Sequence, residues 1–508
     1  MDKQTKLIVI VFCFIKLTLH LVADFNSGFQ GDELLHIETG KHLAFGYMEF
    51  PPLIGVLAFI QNLLQSESVF VHHIFAHLSA ILVLILVSKI TTELGGKAKA
   101  VFLVLLCIII APAFGRSQQL FQPVVFSQLF WVLNFYFLFK YVKFLDRKYV
   151  WLLTFSTALA FLTKYDAVFF IFGVSALLFF KKTRQALLEH KFWWNILVFI
   201  LLVSPNIIWQ YANDFPVLKM FNRLYETQLD RLTPLQVFGD LVVSLNPLTL
   251  LVWGAGIISM FHDQMRRYSP LIISILLSTA LLAFSKGKGY YFYPIVLTIL
   301  PFGGVFWESI VLTKRKWAIY PLSFVLLSGI FLIPFGMPVF PLESYLKNDY
   351  PYEKRETVPG GQYNVRFEER YSKEKWDETL NELKSVYDSL PKTEKENTLI
   401  WGKHYGQAGA LNLFGKKHGL PHSFSLHGSF YLWFPTGQMP QTTIALRYSD
   451  RTGKRFFEPY FEEVIPAKSI YNPYAKEEED LWQTIFICKK PKQTYDELKE
   501  LFKNRVFE

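Results

Sequence analysis

Residues 24–53 crowd Asp24, Asp32, Glu33, Glu38 and Glu49, with His36 and His42, between two long apolar runs. Carboxylates at the edge of a bilayer cost free energy unless water, a cation or a substrate compensates them. Five in one loop therefore mark a candidate site. The chemistry open to such a group is general base catalysis: it takes a proton from an attacking hydroxyl, and partial desolvation strengthens it as a base. Asp32 and His36 stand four apart, as do Glu38 and His42, so each pair shares a helix face. The plain alternative is that Asp32 caps a surface helix, with Glu33 in a first turn favoured by the helix dipole. Taken singly that alternative would win; the crowding of acids argues for the base. Glu49, held stiffly ahead of Pro51-Pro52, is either a solvated loop acid or a ligand for a divalent cation, completed by a histidine or phosphate oxygens.

A second group of residues suits an anion. Arg116, Lys164, Lys286 and Lys288 lie near the ends of apolar runs. In Lys286-Gly287-Lys288-Gly289-Tyr290-Tyr291 the glycines admit backbone to an anion and the tyrosines supply hydroxyls. The sharp reading is a grip on a lipid-borne phosphate; the bland one is snorkelling to headgroups. His72, His73 and His77 match no closed zinc spacing and read as packing or interfacial residues. The chain shows no P-loop, dinucleotide fingerprint, nucleophile elbow or CxxC pair, so an energy-coupled pump has no support.

The elements that must position these groups are mostly membrane helices. The chain has 508 residues, 52% hydrophobic and only 19% charged, with 50 Phe and 25 Tyr, a balance that soluble domains rarely reach. Its apolar runs give about eleven candidate spans, several short enough to be half-spans or re-entrant pieces. The first run, interrupted by Lys16 and His20, reads as a retained helix rather than a cleaved signal. The net charge of +10 reflects loop distribution, not nucleic-acid binding. Basic loops such as 140–148 and 181–191 alternate with poorer ones, which predicts a cytoplasmic N-terminus. Residues 24–53 and the tail from about 340 then lie outside. Three cysteines make no disulfide framework and read as buried small hydrophobes.

Within the loop, the pattern predicts a short amphipathic helix from Asp32 to Phe45, with Leu34, Leu35, Ile37, Leu43 and Phe45 on the membrane and Gly46 ending it. Asn246-Pro247 inside an apolar run predicts a kink. In the tail, helices are expected at 374–390, 405–414 (stopped by Gly415) and 495–506, and strands at 398–402, 442–447 and 484–488. The expected fold is a polytopic α-helical membrane protein, residues 1–340, with an extracytoplasmic α/β domain at 347–508. No internal period of 20–50 residues repeats.

Several stretches, in order, resemble the polyprenyl-phosphate-sugar glycosyltransferases of the GT-C superfamily. They are Gly31-Asp32-Glu33-Leu34-Leu35, Lys41 to Tyr47, Pro51-Pro52-Leu53, Phe126 to Trp131, Leu162 to Tyr165, Pro205 to Gln210, Leu245 to Leu248, Lys286 to Tyr291 and Tyr405 to Gly415. The pattern is most similar to the bacterial branch of the protein-mannosyltransferase-like (family 39) enzymes, related to the lipid A aminoarabinose transferases. The resemblance implies a GT-C fold and an inverting transfer at the outer face of the cytoplasmic (inner) membrane. The donor would be a sugar on a polyprenyl phosphate, and the acceptor a hydroxyl of a glycan, lipid or protein. It makes Asp32, of the Asp32-Glu33 pair, the catalytic base. Glu49 falls where relatives keep an acid before the paired prolines, and in the aminoarabinose transferases that acid ligates a metal. Phe50 stands where a phosphate-contacting lysine follows in relatives, which shifts that role to Lys164 and Lys286, and Ser127 replaces an acid often seen in this branch. A transporter or flippase of lipid-linked saccharides is the alternative; it should show two related halves with paired broken spans, and none is visible. A binding or assembly protein working through its tail is a third reading.

Overall fold

The computed structural model describes residues 1–347, 365, 367–475 and 480–508. The chain divides into two compact units. One comprises Met1–Val22, Phe50–Leu53 and His73–Val339; the other comprises Ala23–Glu49, Ile54–His72 and Phe340–Glu508. The acid-rich stretch up to Glu49 thus belongs with the C-terminal residues.

The first unit is a bundle of apolar helices, and the protein is a multi-pass membrane protein. Seven helices among the described residues are long and apolar enough to span, from Lys3–Phe25 to Lys316–Gly336, and nine if two bent pairs each count as one. That is fewer than the eleven expected, because several short apolar runs form short helices or halves of bent pairs. Ala98–Ile110 and Pro112–Gln119 meet at 71°, and Pro234–Ser244 and Pro247–Met260 at 97°. Both breaks precede a proline, whose ring drives the preceding residue out of the helical region. Ala111 is extended there, and Asn246 has a φ of 68°. The expected kink at Asn246-Pro247 is therefore a full break. The Asn246 amide stabilises it by donating to Ile110 O at 3.1 Å and Gly329 O at 3.4 Å.

The second unit is built on five strands: β1 (Leu399–Gly402), β2 (Ser423–Phe424), β3 (Thr442–Tyr448), β4 (Phe461–Tyr471) and β5 (Trp482–Pro491), in the order β2-β1-β3-β5-β4. β1 runs parallel to β2 and β3; β5 runs antiparallel to β3 and β4. Alternation along the strands sorts the core into two layers. Ile400, Ile444, Leu446 and Ile485 pack under Leu380 and Leu383 of the Ser372–Ser389 helix, together with Leu411 of the Tyr405–Phe414 helix. Trp401, Phe424, Phe457, Phe461 and Phe486 fill the other face with Tyr495 and Phe502 of the closing helix, Tyr495–Phe502. Cys488 is buried in that layer, in keeping with its reading as a small hydrophobe. The closing helix ends at Phe502, four residues short of the expectation.

The helix that carries Asp32 spans Gly31–Thr39, not Asp32–Phe45. It ends at Gly40, which packs against the Ala58 and Phe59 backbone of the Leu53–Asn62 helix so closely that a Cβ would clash. Leu43 and Phe45, beyond the stop, are 53% and 64% exposed instead of lying under a helix.

Candidate functional site

The second unit pins the start of the Gly31–Thr39 helix from two sides. The Gln30 amide donates to Glu33 Oε2 at 3.0 Å, which closes the first turn as a capping box. The Gly31 amide donates to Glu368 Oε2 at 3.0 Å, and Lys375 Nζ holds Glu368 Oε1 at 2.7 Å. Burial pushes the Glu368 carboxyl up, but the Lys375 charge and these hydrogen bonds outweigh it and leave it below its ordinary value. Glu33 is fully buried at this cap. Asp32 follows Gly31, half-buried, with its carboxylate directed elsewhere.

The Tyr405–Phe414 helix supplies what Asp32 meets. The two helices touch almost backbone to backbone. A Cβ on Gly406 would sit 3.1 Å from Gly31 Cα, and one on Gly409 would sit 2.9 Å from Leu34 Cβ. Glycine at both positions lets the helices approach this closely without displacement. It brings the Tyr405 hydroxyl to donate to Asp32 Oδ1 at 2.6 Å, and Gln30 Nε2 donates to Oδ2 at 3.4 Å. Farther along, buried Glu38 braces the same pair of helices by accepting from Asn412 Nδ2 at 3.2 Å and Lys41 Nζ at 2.7 Å.

Two imidazoles back Tyr405. Its ring stacks on His427 with centroids 4.7 Å apart and planes within 4°, and lies 4.1 Å from the His404 ring. His404 Nδ1 accepts from the Gly406 amide at 3.0 Å and so caps the Tyr405–Phe414 helix. Burial draws His404 down to about 4, against the raising charges of Asp32 and Glu368. Burial likewise draws His427 well below its ordinary value, so both rings are neutral at pH 7. The Nδ1 of His427 is buried and has no hydrogen-bond partner among the described residues. Burial and the Asp32 charge push the Tyr405 phenol well up, which keeps it a donor.

Glu49 lies in the same unit. The Ser429 amide donates to Oε1 at 2.9 Å and the Ser429 hydroxyl to Oε2. Gly428, at φ +58°, leaves room for that carboxylate: any Cβ would collide with Oε1. Burial pushes Glu49 up to about 7; the Ser429 bonds pull it down and the Asp32 charge adds to the rise. A divalent cation requires the ionised form, and both oxygens already accept from Ser429.

In the membrane unit the stretches around Ser127, Lys164, Asn206 and Tyr291 converge. Lys164 Nζ contacts Asp166 Oδ2 at 2.8 Å and lies 4.0 Å over the Tyr291 ring and 5.7 Å over that of Tyr290. Ser127 Oγ reaches the two oxygens of Asp166 at 3.0 and 2.9 Å, so Asp166 supplies a carboxylate beside the serine that replaces the expected acid. Tyr165 donates to Asn206 Oδ1 at 3.1 Å and accepts from Gln210 at 3.0 Å. Lys286 and Lys288 engage a different segment: Lys286 Nζ donates to Asp230 O at 3.2 Å, and Lys288 donates to Gln228. Arg116 sits half-buried in the Pro112–Gln119 helix. His77 packs ring to ring against both His20 and His73.

The family model for dolichyl-phosphate-mannose-protein mannosyltransferases matches residues 49–209. No curated protein sequence matches the chain. In structure the chain is similar to ArnT from Cupriavidus metallidurans bound to undecaprenyl phosphate, at 13% identity over 94% of this chain and 97% of that chain, with a TM-score of 0.59. The apo state of the same protein gives 12% identity, the same coverage and a TM-score of 0.60. The chain has the GT-C glycosyltransferase fold. Archaeal AglB from Archaeoglobus fulgidus, in complex with an inhibitory peptide and a dolichol-phosphate, shares the GT-C fold at 11% identity over 87% of this chain and 69% of that chain, with a TM-score of 0.51. Glu49, Ser127, Lys164 and Asn206 fall inside the segment matched by the family model, while Asp32 and Tyr405 fall outside it.

Tyr405, His404, His427, Ser429, Glu368 and Lys375 were not singled out as site residues by the sequence. The available signal was His404-Tyr405-Gly406 at a helix start and His427-Gly428-Ser429 in a polar loop. Neither shows which carboxylate it serves.

Proposed function

We propose that the chain is a membrane glycosyltransferase. It moves a sugar from a polyprenyl phosphate to an acceptor hydroxyl at the outer face of the cytoplasmic membrane, with inversion and with Asp32 as base. The observation that carries this reading is the Asp32 carboxylate, fixed at a pinned helix start by the Tyr405 hydroxyl. The structurally similar ArnT and AglB were captured with undecaprenyl phosphate and dolichol-phosphate, which supports a lipid-phosphate donor.

In the step, Asp32 takes the proton of the acceptor hydroxyl. The hydroxyl oxygen bonds to the anomeric carbon, the bond from that carbon to the phosphate oxygen breaks, and the electron pair leaves with the lipid phosphate. Attack opposite the leaving group inverts the centre. The departing phosphate gains negative charge, which cations stabilise. Lys164 carries that role in our reading, with the Tyr290 and Tyr291 rings under its ammonium. Arg116, Lys286 and Lys288 are further phosphate candidates, and Glu33 serves the helix that presents Asp32. If a divalent cation takes part, Glu49 is the candidate ligand; it would have to be ionised and give up a Ser429 bond, and the cation would help neutralise the leaving phosphate.

The test is Asp32→Asn. Mass spectrometry of envelope glycolipids and glycoproteins from a null strain identifies the molecule that loses a sugar. The Asp32→Asn variant should fail to restore it while keeping wild-type abundance and undecaprenyl phosphate affinity. Full restoration would overturn the assignment.

A further inference from the structure

We infer that Tyr405 is a positioning residue for the Asp32 base, so that residues far along the chain take part in the reaction centre rather than merely supporting it. The inference rests on the proposed role of Asp32. An aspartate at the second position of a helix rotates freely about its side-chain bonds unless something fixes it. Here three features fix it. The Tyr405 hydroxyl donates at 2.6 Å to Oδ1, the length of a charge-assisted bond. The tyrosine is itself held, face to face with His427 at 4.7 Å and against His404 at 4.1 Å. The helices that carry Asp32 and Tyr405 also pack closely at Gly406 and Gly409.

With Oδ1 bound by Tyr405, Oδ2 is the oxygen left to take the acceptor's proton, since its contact with Gln30 Nε2 at 3.4 Å is long. Neutral His404 and His427 bring no positive charge that would draw Oδ2 away. Tyr405 touches the base and not the reacting atoms, and no proton passes through it.

Tyr405→Phe keeps the stacked ring and removes only the hydroxyl. The assay follows the initial rate at which the sugar-bearing product reappears when the full chain is induced in the null strain, with undecaprenyl phosphate affinity measured on the purified chain. The rate should fall about 10- to 100-fold, the range expected for one hydrogen bond to a charged group. Undecaprenyl phosphate affinity and thermal midpoint should stay at wild-type values. In an Asp32→Asn background the second change should add nothing, because the two act as one unit. Incorporation of 4-aminophenylalanine at position 405, which restores a donor on the same ring, should recover part of the rate; this arm separates positioning from a folding defect. A wild-type rate in Tyr405→Phe with Asp32→Asn inactive would overturn the positioning role alone. An active Asp32→Asn would overturn the base and the positioning role together. Losses that multiply in the double variant would mean that Tyr405 acts apart from Asp32.

Discussion

Glu49→Gln isolates a buried carboxyl whose ionisation falls near neutral pH. Glutamine still accepts from the Ser429 amide and can pair with the Ser429 hydroxyl, so the shape of the site is kept and only the charge is lost. Burial raises the Glu49 carboxyl from an ordinary 4.5 to about 7. Between those values the folded protein holds a proton that the unfolded chain has released. The contribution of this group is therefore full below about pH 4.5, is lost as pH rises to about 7, and is constant above that. A shift of this size corresponds to about 3 kcal/mol, at about 1.4 kcal/mol per pH unit of displacement. Denaturation of the full chain in detergent with EDTA, followed by tryptophan fluorescence from about pH 4.5 to about pH 8, reads it directly. The stability of Glu49→Gln minus that of wild type should climb by about 3 kcal/mol across the window and then level off. A difference that stays flat, or that favours wild type increasingly at high pH, would refute a desolvated Glu49. Adding a divalent cation in place of EDTA should shrink the high-pH difference if the ionised Glu49 binds it.

Two further outcomes follow from the geometry. Gly428→Ala forces a left-handed φ on a residue with a Cβ and drives that Cβ into Glu49; thermal melts of the full chain should show a loss of about 1–3 kcal/mol. Lys164→Ala removes the cation that sits over Tyr291; undecaprenyl phosphate affinity, read by tryptophan quenching, should drop at least about 10-fold while the fold persists.

The legible parts of this chain are those set by local pattern. Apolar runs announced a membrane protein because a span needs its residues consecutively. The Tyr405–Phe414 helix, stopped at Gly415, and strands β1, β3 and β5 were readable from period and from a glycine stop. β4 was missed because it is an edge strand: Glu462, Glu463, Pro466 and Lys468 protect an exposed edge and break the alternation that marks a half-buried strand. The Gly31–Thr39 helix was drawn too long because the apolar residues Leu43 and Phe45 continued its pattern, whereas Gly40, packed against the Leu53–Asn62 helix, caps it in the fold. The candidate site was half legible for the same reason. Asp32 stood out by the company of its neighbours in sequence, whereas Tyr405 lies 373 residues away and no spacing rule joins them. Ser127 looked like a lost acid until the fold brought Asp166 to its hydroxyl.

The glycine seam between the Gly31–Thr39 and Tyr405–Phe414 helices has a bearing on how such a chain can be cut or recombined. A fragment ending after the last membrane helix would retain every span and yet strand its principal carboxylate, facing water where a phenol used to be. Grafting the C-terminal portion of a distant relative onto these spans would succeed only if it carried small residues at the seam and a tyrosine one step before them.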